Sequence, residues 1–246
     1  MIESLILILA AFLTAMLSAI IGMGGGITLL GIMAIIIPEG YMVVALHGVI
    51  QLVSNVTRAT IYREHIHKPI FLKFLIGLIP GLLLSAGIVY GLIQYYEVSS
   101  AADIKIDFLK PLIGLYILWF LYLRKKGKSV SEKAFLWMGG LSGLVTVFVG
   151  AAGPLIAPFF INNKMSKENV IATKAACQSV GHFGKLPIFI FMFSVNYLNE
   201  WTVLLPLLIA VYFGTKFGKK MLGKLPESTF RMLFKVTLTV IAIRLV

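Results

Sequence analysis

The chain has 246 residues, of which 59% are hydrophobic and 13% charged, and its mean hydropathy is +0.95. A soluble domain carries roughly 25% charged residues, so this composition excludes a soluble enzyme or binding module and predicts a polytopic membrane protein. The net charge of +12 comes largely from Lys and Arg in short loops between apolar runs, where the positive-inside rule puts them; nucleic acid is therefore not an expected partner.

The first apolar run, about residues 4–21, follows Met1-Ile2-Glu3-Ser4. It has neither a basic leader nor a small-residue cleavage site, and reads as a membrane segment, not a signal peptide. It ends at Gly22-Met23-Gly24-Gly25-Gly26, and the run behind this break, about 27–37, is too short to cross a bilayer. Spans are predicted next at about 42–61, 71–95 and 107–123. A second series opens at about 134–149, breaks at Gly150-Ala151-Ala152-Gly153-Pro154, and continues in a short run at about 154–161. It closes with spans at about 169–193, 198–218 and 228–245. The expected fold is an all-α membrane protein of about eight spanning helices plus two short re-entrant half-helices. Its halves are residues 1–127 and 128–246.

Loop charge predicts the topology. The loops Arg63 to Lys73, Arg124 to Lys133 and Lys216 to Lys224 are basic; Glu3, Glu39, the stretch holding Glu97, Asp103 and Asp107, and Asn196 to Glu200 are acidic or uncharged. Basic loops inside place the N-terminus outside. An odd number of crossings is then needed before Arg63, and again between Lys133 and Asn196. A broken hairpin that returns to its own side, followed by one full helix, satisfies both. The two halves are then inverted relative to each other, as in transporters built from repeats. Eight plain helices with parallel repeats are the alternative.

Two helices carry a duplicated polar set. At an offset of 127, Ala45 pairs with Ala172, His47 with Lys174, Gln51 with Gln178, Asn55 with His182 and Arg58 with Lys185. Polar groups at helical spacing in hydrocarbon are costly and mark function. All ten acidic residues lie in loops or at helix ends, so these interior cations require another counter-charge, which a permeating anion supplies. Arg58, near a helix end, reads as a side chain that snorkels to the surface. Glycines Gly24, Gly25, Gly26 and Gly153 let backbone approach a ligand, and Pro154 suits the first turn of a restarting helix. Such helix starts present free N–H groups to an oxyanion; close helix packing is the competing reading of the glycines. His47 and His182 are candidates for proton coupling, or for helix–helix contacts.

The single cysteine, Cys177, excludes an intrachain disulfide and a multi-cysteine metal site, and reads as a buried small hydrophobe. Neither a cofactor nor a metal is expected. Gly140-Leu141-Ser142-Gly143 matches the Gly-x-Ser-Gly of rhomboid-type intramembrane proteases, with His182 downstream as a base. Four such residues arise readily in a glycine-rich helix, so no catalytic residue is assigned.

The two glycine breaks, the run Gly150 to Phe160 and the basic and amide residues on the following helices resemble the sulfite exporter TauE/SafE family over essentially the whole chain. The family is also called the toluene sulfonate uptake permease family. The resemblance implies transport of a small sulfur-containing or organic anion, such as sulfite, thiosulfate or a sulfonate, through a multi-pass protein of a bacterial or archaeal inner membrane. The expected contacts are Gly24, Gly25, Gly26, Gln51, Asn55, Gly153, Pro154, Lys174, Gln178 and His182. The bilayer is the other expected partner, and homo-oligomerisation is left open. An anion channel with the same site is the alternative function.

Overall fold

Lipid offers no hydrogen-bond partner, so apolar chain crosses it by closing its own backbone bonds as helix. The computed structural model describes residues 2–103, 115, 118–123, 131–161, 165–222 and 224–245. The expected span at 107–123, the basic run 124–128 and residues 162–164 lie wholly or largely outside them. Among the described residues there are nine α-helices and no strand: α1 (Ile2–Ile21), α2 (Gly25–Ile36), α3 (Gly40–Ile61), α4 (Lys68–Tyr95), α5 (Ala134–Val149), α6 (Gly153–Ile161), α7 (Lys167–Met192), α8 (Trp201–Leu222) and α9 (Glu227–Leu245). Helices α1, α3, α4 and α8 are long and apolar enough to cross a membrane. Helix α7 is longer than most, at 26 residues, but carries Lys174, His182 and Lys185 on its buried face.

Both glycine breaks are sharp reversals. Gly22 (φ 83°) and Gly24 (φ 93°) end α1, and Gly150 (φ 79°) ends α5; these left-handed conformations strain any residue with a Cβ. Helix α2 returns to the end where α1 begins, since Glu3 and Ser4 share a cavity with Ile36 and Ile37. Likewise α6 returns to the start of α5, where the Phe135 ring lies 5.9 Å from Phe159 and 5.1 Å from Phe160.

The two hairpins open at opposite ends of the bundle. At one end Glu3, Glu39 and Glu200 line a cavity of about 610 Å³ between the starts of α1, α3 and α8. At the other, Asn169 Nδ2 donates to the His65 carbonyl (2.8 Å) and the His67 N–H to Thr173 Oγ1 (2.9 Å). There too the Lys167 ammonium caps the end of α8 at the Leu222 carbonyl (3.2 Å) and also reaches the Leu225 carbonyl. The first end is acidic and the second basic, as loop charge predicts.

Glycines set the close crossings. A Cβ at Gly77 or Gly81 of α4 would run into the backbone of Leu136 or Gly140, and one at Gly139 or Gly143 of α5 into the backbone of Phe74 or Leu78. Gly214 and Gly218 of α8 meet the Phe12 and Met16 carbonyls of α1 in the same way. Small residues four apart let helix backbones touch. Each half's first arm thus lies on a long helix of the other half, and α3 and α7 pack together at the centre.

At the basic end Lys73 donates to Glu132, which holds that carboxyl below its usual value of 4.5. A depressed carboxyl contributes stability above its unfolded pKa and loses it as pH falls through the folded one. The Glu132→Gln variant should therefore melt with a flatter dependence on pH between about 3 and 5. A slope equal to the parent's would remove the pair's contribution.

Candidate functional site

The two breaks meet around a central cavity. It is lined by Gly24, Gly26 and Ile27 from the first break, by Ala151, Gly153 and Pro154 from the second, and by His47, Gln51, Arg58, Lys174, Gln178 and His182 from α3 and α7. Ser18, Met23 and Ile241 complete the wall. Its volume is about 30 Å³, room for roughly one or two water molecules.

Helix α3 carries His47 and Gln51 one turn apart, so both face the same way. His47 Nε2 donates to the Gly26 carbonyl at 2.7 Å and braces α3 against the start of α2. Gly26 has no Cβ because the Gln51 amide fills that space, its Oε1 lying 3.1 Å from where a Cβ would be. Helix α2 starts without a side-chain cap, leaving first-turn N–H groups of Gly25, Gly26 and Ile27 without intrahelical acceptors. The second break offers fewer donors, because Pro154 has no N–H and the Leu155 N–H is taken by the Ala152 carbonyl (3.1 Å).

Three interior cations are buried and their partners are carbonyls. Lys174 Nζ donates to the Gly22 carbonyl (2.9 Å) and to Gln178 Oε1 (3.2 Å). Arg58 donates from Nη1 to the Ser18 carbonyl (3.1 Å) and from Nη2 to Asn55 Oδ1 (2.7 Å). Lys185 Nζ donates to the Gly150 carbonyl at 2.9 Å. Ser18, Gly22 and Gly150 are the last turns of the interrupted arms, where the helix dipole is negative. Part of the counter-charge expected from an anion is therefore supplied by helix ends.

One expectation is corrected, and two of the expected contacts lie outside the cavity wall. Arg58 does not snorkel: it is 3% exposed, because the ends of α1 and α3 lie together and Ser18 accepts from it. Asn55 lies outside the cavity wall. Its Nδ2 is bound to the Gln51 carbonyl (2.8 Å) and its Oδ1 to Arg58, so it orients a cation instead of facing a ligand. Gly25 is also outside the wall; its α-carbon is pressed against the Thr14 carbonyl and Ser18, so packing explains it. The remaining expected contacts, Gly24, Gly26, Gln51, Gly153, Pro154, Lys174, Gln178 and His182, line the cavity together.

The wall also includes residues that the sequence reading did not assign. Ser18 lies one turn before Gly22, a position the helical period could have flagged, and Ile241 arrives from α9 with no local signal at all. His182 is 4% exposed, its ring centroid is 6.1 Å from that of His47, and its Nδ1 has no hydrogen-bond partner among the described residues. Ser142 and Cys177 lie behind it around a small adjoining cavity. Ser142 Oγ likewise has no hydrogen-bond partner among the described residues, so the serine–histidine bond that a nucleophile requires is not made.

An all-helical bundle with apolar spanning helices, two interrupted hairpins and a cationic cavity where they meet defines a multi-pass membrane protein. The chain belongs to the sulfite exporter TauE/SafE family, a family of membrane transporters, whose model matches residues 7–245. Comparison with curated proteins and with solved structures gave no match.

Proposed function

We propose that this protein is a secondary transporter that carries a small sulfur-containing or organic anion, of the sulfite, sulfonate or thiosulfate kind, across the cell membrane by alternating access. The observation that carries the reading is the central cavity. Two of the buried cations, two glutamines and the start of α2 converge there, and among the described residues its wall contains no Asp or Glu. A carrier is preferred to an anion channel with the same site because the two interrupted hairpins meet at this cavity, the arrangement of transporters that bind substrate between repeats.

The rocking elements are residues 1–127 and 128–246, related as inverted repeats. Gly22 and Gly150, both left-handed, lie at an offset of 128, as do Gly25 and Gly153. Oppositely opening hairpins and the exchanged pairing of α1 with α8 and α5 with α4 support the same relation. The basic end faces the cytoplasm, which suits a bacterial or archaeal inner membrane. His47 and His182 couple transport to protons; flux indifferent to an imposed pH gradient would remove that part.

The test is a thermal-shift screen with sulfite, thiosulfate, sulfoacetate, taurine and small carboxylates. A ligand at a hundred times its Kd adds about 2.7 kcal/mol to the folded state, worth roughly 5–10 °C for a chain of this size. One sulfur oxyanion should give a saturable shift, and no shift with any of them would contradict the reading. Transport should survive in Ser142→Ala; its complete loss would instead favour an intramembrane hydrolase using Ser142 and His182.

A further inference from the structure

We propose that Lys185 is a positioning residue for transport, a latch outside the anion cavity that closes it toward the acidic end. The inference rests on the carrier reading above. Unlike Arg58 and Lys174, Lys185 does not line the central cavity, and it is 0% exposed. Its ammonium donates to two carbonyls on different halves, Gly150 at the end of α5 (2.9 Å) and Val44 in the first turns of α3 (3.4 Å). One side chain thereby ties the two halves across their seam.

That seam separates two spaces. On its acidic-end side Leu30, Val43, Val44 and Val149 line a groove of about 600 Å³. On its other side Ala151 and Gly153, immediately beyond Gly150, line the central cavity. Gly150 itself fills the partition: a Cβ there would stand 3.2 Å from Val44 and 3.5 Å from Leu30. Opening a path from groove to cavity therefore requires Val44 and Gly150 to part, and Lys185 to release one of them.

The rest of the fold accommodates this side chain. Gly48 on α3 has no Cβ where the Lys185 stem passes; a Cβ there would lie 2.6 Å from Cε. The partners also suit a bond made and broken each cycle. Neutral carbonyls at a helix end hold an ammonium by dipole and hydrogen bond, and no carboxylate is left buried and unpaired when the latch opens.

The experiment reads solvent access, which needs no substrate. In a Cys177→Ser background, Ile27→Cys places a thiol in the cavity wall, and a membrane-impermeant thiol reagent is applied to right-side-out and inside-out vesicles of the full chain. Adding Lys185→Met, or separately Gly48→Ala, which displaces the ammonium and keeps its charge, should accelerate labelling from the acidic-end face at least about tenfold. That is the change expected from losing a charge-assisted hydrogen bond that biases a two-state equilibrium. Labelling from the basic-end face should not accelerate. Parent-like rates in Gly48→Ala, or equal acceleration from both faces, would overturn the latch. If Lys185→Met does not fold, Gly48→Ala decides alone. Absence of anion flux in the parent would instead defeat the carrier reading, a distinct result.

Discussion

Lys174→Met should weaken anion binding by roughly 10- to 100-fold, the loss expected for a charge-assisted hydrogen bond of about 1.5–3 kcal/mol, while leaving the protein folded. Lys174 combines burial, a place in the cavity wall and an ammonium shared between the Gly22 carbonyl and Gln178. An anion entering the cavity competes with Gly22 for that ammonium, so the side chain can report occupancy to the end of α1. Folding should survive because no carboxylate among its partners is left unpaired, and replacing a buried charge by an apolar residue of similar volume is often tolerated. Titration of the purified variant with sulfite and thiosulfate, beside a melting curve without ligand, separates the two effects. Unaltered affinity would remove Lys174 from the site.

The second large effect concerns the hairpin itself. Gly25→Ala should prevent accumulation of folded protein or cost about 3 kcal/mol or more, the upper range for overpacking. Its Cβ would be driven into the Thr14 carbonyl, with Ser18 Oγ closing the remaining space. Backbone cannot swing aside as a flexible side chain can, and α1 is fixed from behind by the contact of Phe12 and Met16 with Gly214 and Gly218. Gly40→Ala is the matched control, since a Cβ there meets nothing within 4 Å. Equal melting temperatures for the two variants would contradict this account of the first break.

Much of the hairpin geometry was legible because hydrocarbon penalises what it does not need. Glycine-rich interruptions between apolar runs, and charges repeated at helical spacing, are expensive in lipid, so Gly22, Gly150, Lys174 and Gln178 stood out. What sequence hid was long-range pairing. Arg58 reads as surface-seeking from its place near a helix end; what the sequence conceals is its acceptor on another helix, Ser18, 40 residues away. Asn55 reads as a ligand contact from its place in the duplicated polar set, whose spacing does not reveal that Arg58 is buried and binds its Oδ1. Gly25 was grouped with its neighbours, although one residue's rotation about the helix turns Gly26 toward Gln51 and Gly25 toward Thr14. The counter-charge of the interior cations is hidden in the same way, because the Ser18, Gly22 and Gly150 carbonyls reach them only once the helix ends are placed.

The carrier reading is tested most directly by counterflow in proteoliposomes. Vesicles preloaded with unlabelled sulfite or thiosulfate are diluted into a trace of the labelled anion. A carrier with one central site reached alternately from each end should accumulate label transiently above equilibrium, saturate with concentration, and lose this behaviour in Lys174→Met. Label that equilibrates without overshoot, at a rate linear in concentration, would contradict alternating access and leave a pore.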